Sequence, residues 1–386
     1  MVNSVFESEE VLKIALVSDS IAPFHHGGKE NRINEIISRV PSNCKVDLYT
    51  MDWKSVISRN LDLKNVSLIP ICKYHHLYSG DRRSMKQAFY FALSTFKLIF
   101  KDFDIIEADQ MPNLQLFPLK IVSILKRKKL VVTWHEYWGL ETWSQYLGPI
   151  LGRVAYYIEL LSLKLPDSIV AASDFTYSRL KYVNPDDDRI IEISGAVDEG
   201  AINSSLKSKI IYDFIYVGRL IKHKNIDQAI KAFASMHIDR KDIRFAIIGS
   251  GPERENLENL SISLNIEDAI DFIDHVDKQE EMWGFIKSAK VFVSFSNREG
   301  FGLTVAEALF CGTPVITSDH SDNASKKLII DGINGSIVKA DSSIELEKAM
   351  RYWLSHSGEI KHDLQHLTWN KASKKYYLHL RSLTNG

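Results

Sequence analysis

The sequence predicts an α/β protein made of two doubly wound, Rossmann-like domains facing an interdomain cleft. Three observations lead there. Short apolar runs alternate with amphipathic stretches long enough to cross the face of a parallel sheet, and the alternation pauses once near residue 200 before it restarts. The length, 386 residues, suits two domains better than one.

The elements follow in order. KIALVSD (13–19) reads as a buried strand, and KENRINEIISRV (29–40) as a helix with Ile33, Ile36, Ile37 and Val40 along one side. KVDLYTM, VSLIPI, DIIEA, KLVVTW and SIVAAS read as further strands, and RIIEISGAVDEG (189–200) closes this half with Gly195 and Gly200 flanking a turn. After the polar NSSLKSK (203–209), strand DFIYVG (213–218) leads to helix NIDQAIKAFASM, strand IRFAIIG (243–249) and a helix after Pro252. Strand AIDFID, helix KQEEMWGFIKSA, strand KVFVSF (290–295), helix TVAEALF and strand TPVIT complete the second sheet. The expected division is 1–200, 201–366 and a terminal segment 367–386. Ligands on such sheets bind at the carboxyl ends of the strands, which is where the cleft is expected.

Composition narrows the function classes. With 48 basic against 49 acidic side chains, 45% hydrophobic and 25% charged, the chain is an ordinary globular protein without the basic excess of a nucleic-acid binder. Cys44, Cys72 and Cys311 are widely spaced and odd in number, which excludes a disulfide framework or zinc knuckle. The acidic first residues do not read as a signal peptide, and the longest nearly apolar run, the thirteen residues AFYFALSTFKLIF, is too short to span a bilayer. A cytoplasmic location is expected. Segment 73–101 carries Lys73, Arg82, Arg83, Lys86, Lys97 and Lys101 against Asp81, and Lys120 and Lys126 to Lys129 follow without an acid. These stretches, with Phe89, Tyr90, Phe96 and Phe100 at helical spacings, fit either a peripheral, anionic membrane surface or a solvated face over a packed core.

Several loops carry chemistry. Gly27-Gly28, just before a helix, suits either a tight turn or close approach of an anion to backbone N–H groups. VGRLIKHKN (217–225) places Arg219 and Lys224 where they can clamp a diphosphate, or simply form a solvated basic turn. IIGSGPER (247–254) lacks the third glycine of a dinucleotide fingerprint and reads as a strand-to-helix turn. Asp102–Asp104 and Asp186–Asp188 match an Asp-x-Asp pattern but fall at element boundaries, so no metal site is expected. In NREGFGLTVAEALFCGTPVITSD (297–319), Glu299 lies in a loop and Glu307 about one turn into the next helix. Gly300 and Gly302 clear space beside that loop, and the amides of Leu303 and Thr304 face out of the helix start. A carboxylate at Glu307 can accept from a vicinal diol such as ribose, and Glu299 can hold sugar hydroxyls.

Taken in order, the Gly-Gly loop, WHEYWG (134–139), VGRLIKHKN, IIGSGP and EGFGLTVAEALFCGTPVI resemble the retaining glycosyltransferases of family 4, which have the GT-B architecture. The resemblance covers nearly the whole chain. It implies a nucleotide-sugar donor, UDP- or GDP-linked, as co-substrate, with no other cofactor and no metal, and a glycan, lipid-linked or small-molecule acceptor. By resemblance Arg219 and Lys224 bind the diphosphate, Glu307 the ribose and Glu299 the transferred sugar. His135 stands at the donor–acceptor junction, the backbone near Val276 meets the base, and Gly27, Gly28, Gly300, Phe301, Gly302, Leu303 and Thr304 complete the donor pocket. LTWNKASKKYYLHL (367–380) becomes a helix crossing back to the first domain. Two departures stand out: Asn225 occupies a usual glycine position, and NASKK (323–327) replaces a Gly-Gly and a glutamate, with Lys327 in the glutamate's place. A GT-B nucleotide-sugar epimerase and a noncatalytic nucleotide-sugar-binding subunit remain alternatives, the latter disfavoured by the intact Glu299 and Glu307. Trp134, Tyr137, Trp138, Trp143 and Tyr146 either stack on an acceptor sugar or fill the core.

Overall fold

Two parallel sheets organise the computed structural model, which describes residues 10–25, 27–55, 63–79, 82–274, 276, 278–356, 360 and 364–384. The chain divides into one unit of residues 1–195 with 369–386 and a second of residues 196–368.

The first unit contains β1 (Leu12–Val17), β2 (Cys44–Met51), β3 (Val66–Cys72), a short β4–β5 hairpin (Tyr78–Ser79, Arg82–Arg83), β6 (Ile105–Asp109), β7 (Lys129–Trp134), β8 (Ser168–Ala171) and β9 (Ile190–Glu192). Its parallel sheet runs β3-β2-β1-β6-β7-β8-β9. The central strands are buried along almost their whole length and mostly apolar, because helices cover both sheet faces. Those helices include α1 (Gly28–Ile37), α2 (Met85–Ser94), α3 (Leu116–Lys126), α4 (Gly139–Leu147), α5 (Pro149–Ser162) and α6 (Asp174–Val183). The strand order reverses between β1 and β6, and the loops leaving those two strands diverge to opposite faces, which leaves a crevice between them.

The second unit opens with α7 (Glu199–Ser204) and alternates β10 (Phe214–Val217), α8 (Ile226–Asp239), β11 (Phe245–Ile248), α9 (Arg254–Ser263), β12 (Ile270–Ile273), α10 (Gln279–Ser288), β13 (Val291–Ser294), α11 (Leu303–Phe310) and β14 (Val315–Ser318). The sequence reading ends its sheet at TPVIT, but β15 (Gly335–Val338) adds an edge strand beside β14, followed by α12 (Ser343–Ser355). A four-residue strand beginning with glycine carries little β signal, and pairing with β14 decides it. The order is β12-β11-β10-β13-β14-β15, so the reversal here lies between β10 and β13.

The last helix, α13 (Trp369–Ser382), packs within the first unit. It buries Tyr376, Tyr377 and Leu380, Tyr377 Oη donates to Ile36 O at 3.0 Å, and Arg381 donates to Asn43 O at 2.8 Å.

The glycines of IIGSGPER serve packing. Gly249 has φ +141°, and a Cβ there would fall 1.9 Å from Gly218 O. The turns after β10 and β11 are thus pressed backbone to backbone, with Leu220 N donating to Ser250 O. Gly249→Ala should lower the stability of the second unit by about 2–4 kcal/mol, through strain and displaced backbone. Chemical denaturation checks this, and an unchanged midpoint contradicts it.

Candidate functional site

In the second unit, the β10–β13 reversal gathers the motif residues. Lys224 ends a short 3-10 turn, Lys222–Lys224, after β10, while Glu299 lies on the loop after β13. Lys224 Nζ donates to Glu299 Oε1 at 2.5 Å, and Ser296 Oγ donates to the same oxygen at 3.0 Å. Both charged side chains are only 15% exposed, so the attraction is weakly screened by water.

The two departures from the family pattern support this arrangement. Asn225 has φ +50°, a left-handed conformation that asparagine tolerates better than other residues with side chains. Its Nδ2 donates to Asn297 Oδ1 at 2.6 Å, tying the two loops together one residue from Lys224. Asn323 is buried, and its Nδ2 donates to Thr317 Oγ1 and Ser318 O, both at 2.9 Å, while its Oδ1 accepts from Ser325 Oγ at 2.6 Å. That network fixes the strip on which Glu299 N bonds Asp322 O, and Ala324 N bonds Glu299 O, each at 3.0 Å. Gly302, the cap of α11 at φ +87°, is required here: a Cβ would lie 2.4 Å from that of Ser325. As the first residues of α11, Leu303 and Thr304 have amides with no intrahelical carbonyl to bond. Gly300 and Phe301 are half-buried beside them.

Glu307 is buried in α11, and its Oε1 accepts from Gln279 Nε2 at 3.0 Å and Trp283 Nε1 at 3.1 Å. Gln279 and Trp283 stand four apart on one face of α10 and aim the carboxylate; sequence reading missed both, although an i, i+4 polar pair opposite an acidic motif was the available signal. Burial, and then Glu307, pushes the nearby Cys311 thiol up to about 12, so it stays protonated. Val276 packs beside the core of this unit, as do Phe301 and Leu303. The Arg219 side chain is exposed and makes no hydrogen bond or ion pair among the described residues. The structure therefore joins Lys224 to Glu299 without drawing Arg219 into that pair.

In the first unit, His135 follows β7, and its Nε2 lies 2.8 Å from Asp109 Oδ1 at the end of β6. His135 N donates to Gln110 Oε1 at 2.8 Å, and Thr176 Oγ1 donates to His135 O at 2.9 Å. Lys29, at the start of α1, pairs with Asp19 at 2.9 Å and lies 3.5 Å from Asp109. Burial alone would raise the Asp19 carboxyl, but Arg83 and Lys29 overcome it and hold it down to about 2. Gly27 is extended, with a Cβ position 2.5 Å from Glu30 Oε2, whereas Gly28 faces open space. The helix start thus already has a carboxylate beside it, and Glu30 accepts from Ser20 Oγ at 2.5 Å. Asp109 and Lys29 escaped the sequence reading because their partners lie far along the chain.

Part of the aromatic loop packs around Glu159, while Trp138 and Tyr146 stay half-exposed. Trp134, Tyr137 and Trp143 are buried, Trp138 and Trp143 centroids lie 4.5 Å apart, and Glu159 accepts from Trp143 Nε1 and Gly139 N, both at 3.0 Å. Both Asp-x-Asp stretches enter ion pairs: Asp102 with Lys13 at 2.5 Å, Asp104 with Lys128 at 3.2 Å and Asp187 with Arg189 at 2.7 Å.

Comparison with known proteins adds to this geometry. Residues 201–371 match the family model described as glycosyl transferases group 1. An uncharacterized glycosyltransferase of Methanocaldococcus jannaschii is 22% identical over 94% of this chain and 96% of its own. Sucrose-phosphate synthase from Thermosynechococcus elongatus has the same fold, with a TM-score of 0.74 and 18% identity over 97% of this chain and 99% of its own. The Anabaena HepE structure in complex with UDP-glucose superposes with a TM-score of 0.68 and 16% identity over 97% of each chain.

The His135–Asp109 pair lines a small pocket together with Arg32, Glu107, Thr133 and Tyr376. Burial, then Asp109, pushes the Glu107 carboxyl from 4.5 up to about 8. Between those values the folded chain binds more protons than the unfolded chain, so stability falls as pH rises through that window. Glu107→Gln should flatten this decline. Denaturation midpoints of both proteins from acid to mildly alkaline pH test it, and equal slopes contradict it.

Proposed function

We propose that the chain, which has the GT-B fold and whose residues 201–371 match the glycosyl transferases group 1, moves a hexosyl group from a UDP- or GDP-linked sugar to an acceptor hydroxyl with retention of anomeric configuration. The observation that carries the reading is the Lys224–Glu299 pair at the β10–β13 reversal, beside the N-terminus of α11. As the sugar–oxygen bond breaks, the departing diphosphate gains negative charge. Preorganised cations and helix amides stabilise that charge more than they stabilise the donor. Lys224 has three donors, enough to keep Glu299 and reach phosphate as well. Arg219, already in solvent, supplies a planar fork for the same group. Glu299 holds hydroxyls of the transferred sugar, Glu307 the ribose, and the backbone near Val276 the base. Gly300, Phe301, Gly302, Leu303 and Thr304 line the donor pocket.

The first unit is assigned to the acceptor, a glycan, lipid-linked or small molecule, with His135 oriented by Asp109. Gly27 and Gly28 belong to its donor-facing loop. Charge neutralisation by Lys224 and Arg219 makes the transfer independent of a metal. The basic segments of the first unit support work at the cytoplasmic face of a membrane, and no helix among the described residues is long and apolar enough to cross one. A sugar-transfer product, rather than an altered donor, distinguishes transfer from epimerisation.

Lys224→Ala should lower kcat by about 10²–10³, as removal of an oxyanion-hole donor does, while a chelator leaves the parent enzyme active. Turnover abolished by chelation and restored by manganese contradicts this. Glu307→Gln should weaken binding of the free nucleotide diphosphate by about 1–2 kcal/mol, whereas Glu299→Gln should leave that binding intact and lower kcat. Calorimetry and steady-state rates on both variants decide it; the reversed pattern exchanges the two roles.

A further inference from the structure

An amphipathic face of the first unit is turned inside out relative to a core helix. Met85, Phe89, Leu93, Phe96 and Phe100 recur at helical spacing along α2 and the 3-10 turn that continues it, and all are exposed, Phe100 by 88%. The opposite side of the same segment, with Ala88, Phe91, Ala92 and Leu98, is buried against the unit. Phe89, Tyr90, Phe96 and Phe100, which recur at helical spacings in the sequence, face solvent, because smaller residues and Phe91 fill the inward stripe. The neighbouring α3 repeats the pattern, with Ile121, Ile124 and Leu125 outward and Leu119 and Val122 inward. Lys126 Nζ donates to Lys101 O at 2.6 Å and to Ile99 O at 3.3 Å, which ties the end of α3 to the turn bearing Phe100.

The charge around this apolar face has one dominant sign. Lys86, Lys101, Arg127 and Lys129 are exposed and make no ion pair among the described residues. The nearby acids Asp102 and Asp104 are paired to Lys13 and Lys128. Exposed rings among unpaired cations fit an interface of negative headgroups over hydrocarbon, where the rings leave water and the cations keep polar partners.

We propose that α2, its 3-10 continuation and α3 form a surface that inserts into an anionic lipid bilayer, with Phe96 and Phe100 entering the acyl region. The inference adds hydrocarbon insertion to the membrane-face reading above and rests on it only for where the acceptor is met. Lipid binding itself needs no turnover. The occupant is a bilayer rather than a second copy of the chain, because two such faces meeting would bring the same unpaired cations together.

Flotation of the full chain with phosphatidylcholine–phosphatidylglycerol vesicles tests the proposal, beside vesicles of phosphatidylcholine alone. The chain should float with the anionic vesicles at low salt, retain part of that binding at high salt and stay unbound with the neutral vesicles. Phe96→Ser with Phe100→Ser should weaken binding by about tenfold or more, since each buried ring favours the apolar phase by that order. The melting temperature and the rate with a water-soluble acceptor should not change, as neither ring lies in the core or the donor site. No flotation at low salt, or binding equal in the double variant and abolished by salt, overturns insertion. A concentration-dependent dimer that the double variant abolishes assigns the face to a second copy and also overturns it. Lost transfer with intact flotation would count against the catalytic reading alone.

Discussion

The contact between Lys224 Nζ and Glu299 Oε1 joins two loops that leave neighbouring strands in opposite directions, and the rest of the second unit's candidate site is arranged around it. Without a bond across the reversal, the β10 and β13 loops would be free to splay. Asn225–Asn297 adds a neutral bond between the same loops, and Asn323 builds the floor below Glu299. Each of these side chains is partly or wholly withdrawn from water, so the loss of one partner leaves another polar group without its bond.

The first unit meets the same topological constraint with a similar device. There Lys29, at the start of the helix after β1, bridges Asp19 after β1 and Asp109 at the end of β6. Lys224 likewise immediately precedes the helix after β10. In each unit a lysine spans the two strand ends flanking the reversal. The consequences differ: Lys29 stands between two buried carboxylates with Arg83 at its side, whereas Lys224 has one carboxylate and exposed Arg219 on the same loop. The second arrangement has cationic charge to spare for an anionic ligand, and the first is already compensated.

Much of this was legible in the chain. Mostly apolar runs of four to six residues identify β1, β10, β11 and β13, because strands covered on both faces are buried along most of their length. Glu299, Glu307, Lys224 and the glycines around them were readable from spacing. The supporting contacts were not, because Asp109–His135, Glu307–Trp283 and Asn323–Ser318 depend on which strand ends and helix faces the topology brings together. Asn225 and Asn323 looked like defects against the family pattern. One tolerates the left-handed turn, and the other replaces glycine flexibility with side-chain hydrogen bonds. The exposed rings of α2 show the opposite limit, since helical periodicity identifies a stripe but not whether it faces the core or the solvent.

A double-mutant cycle across the reversal tests the central claim most directly: kcat/KM for the nucleotide sugar, measured for the parent enzyme, Lys224→Ala, Glu299→Gln and the double variant. If the two side chains act as one unit, their effects are non-additive, with a coupling energy of about 1 kcal/mol or more. Effects that add to within about 0.5 kcal/mol would mean that the ion pair is structural coincidence and that the two residues serve the reaction separately.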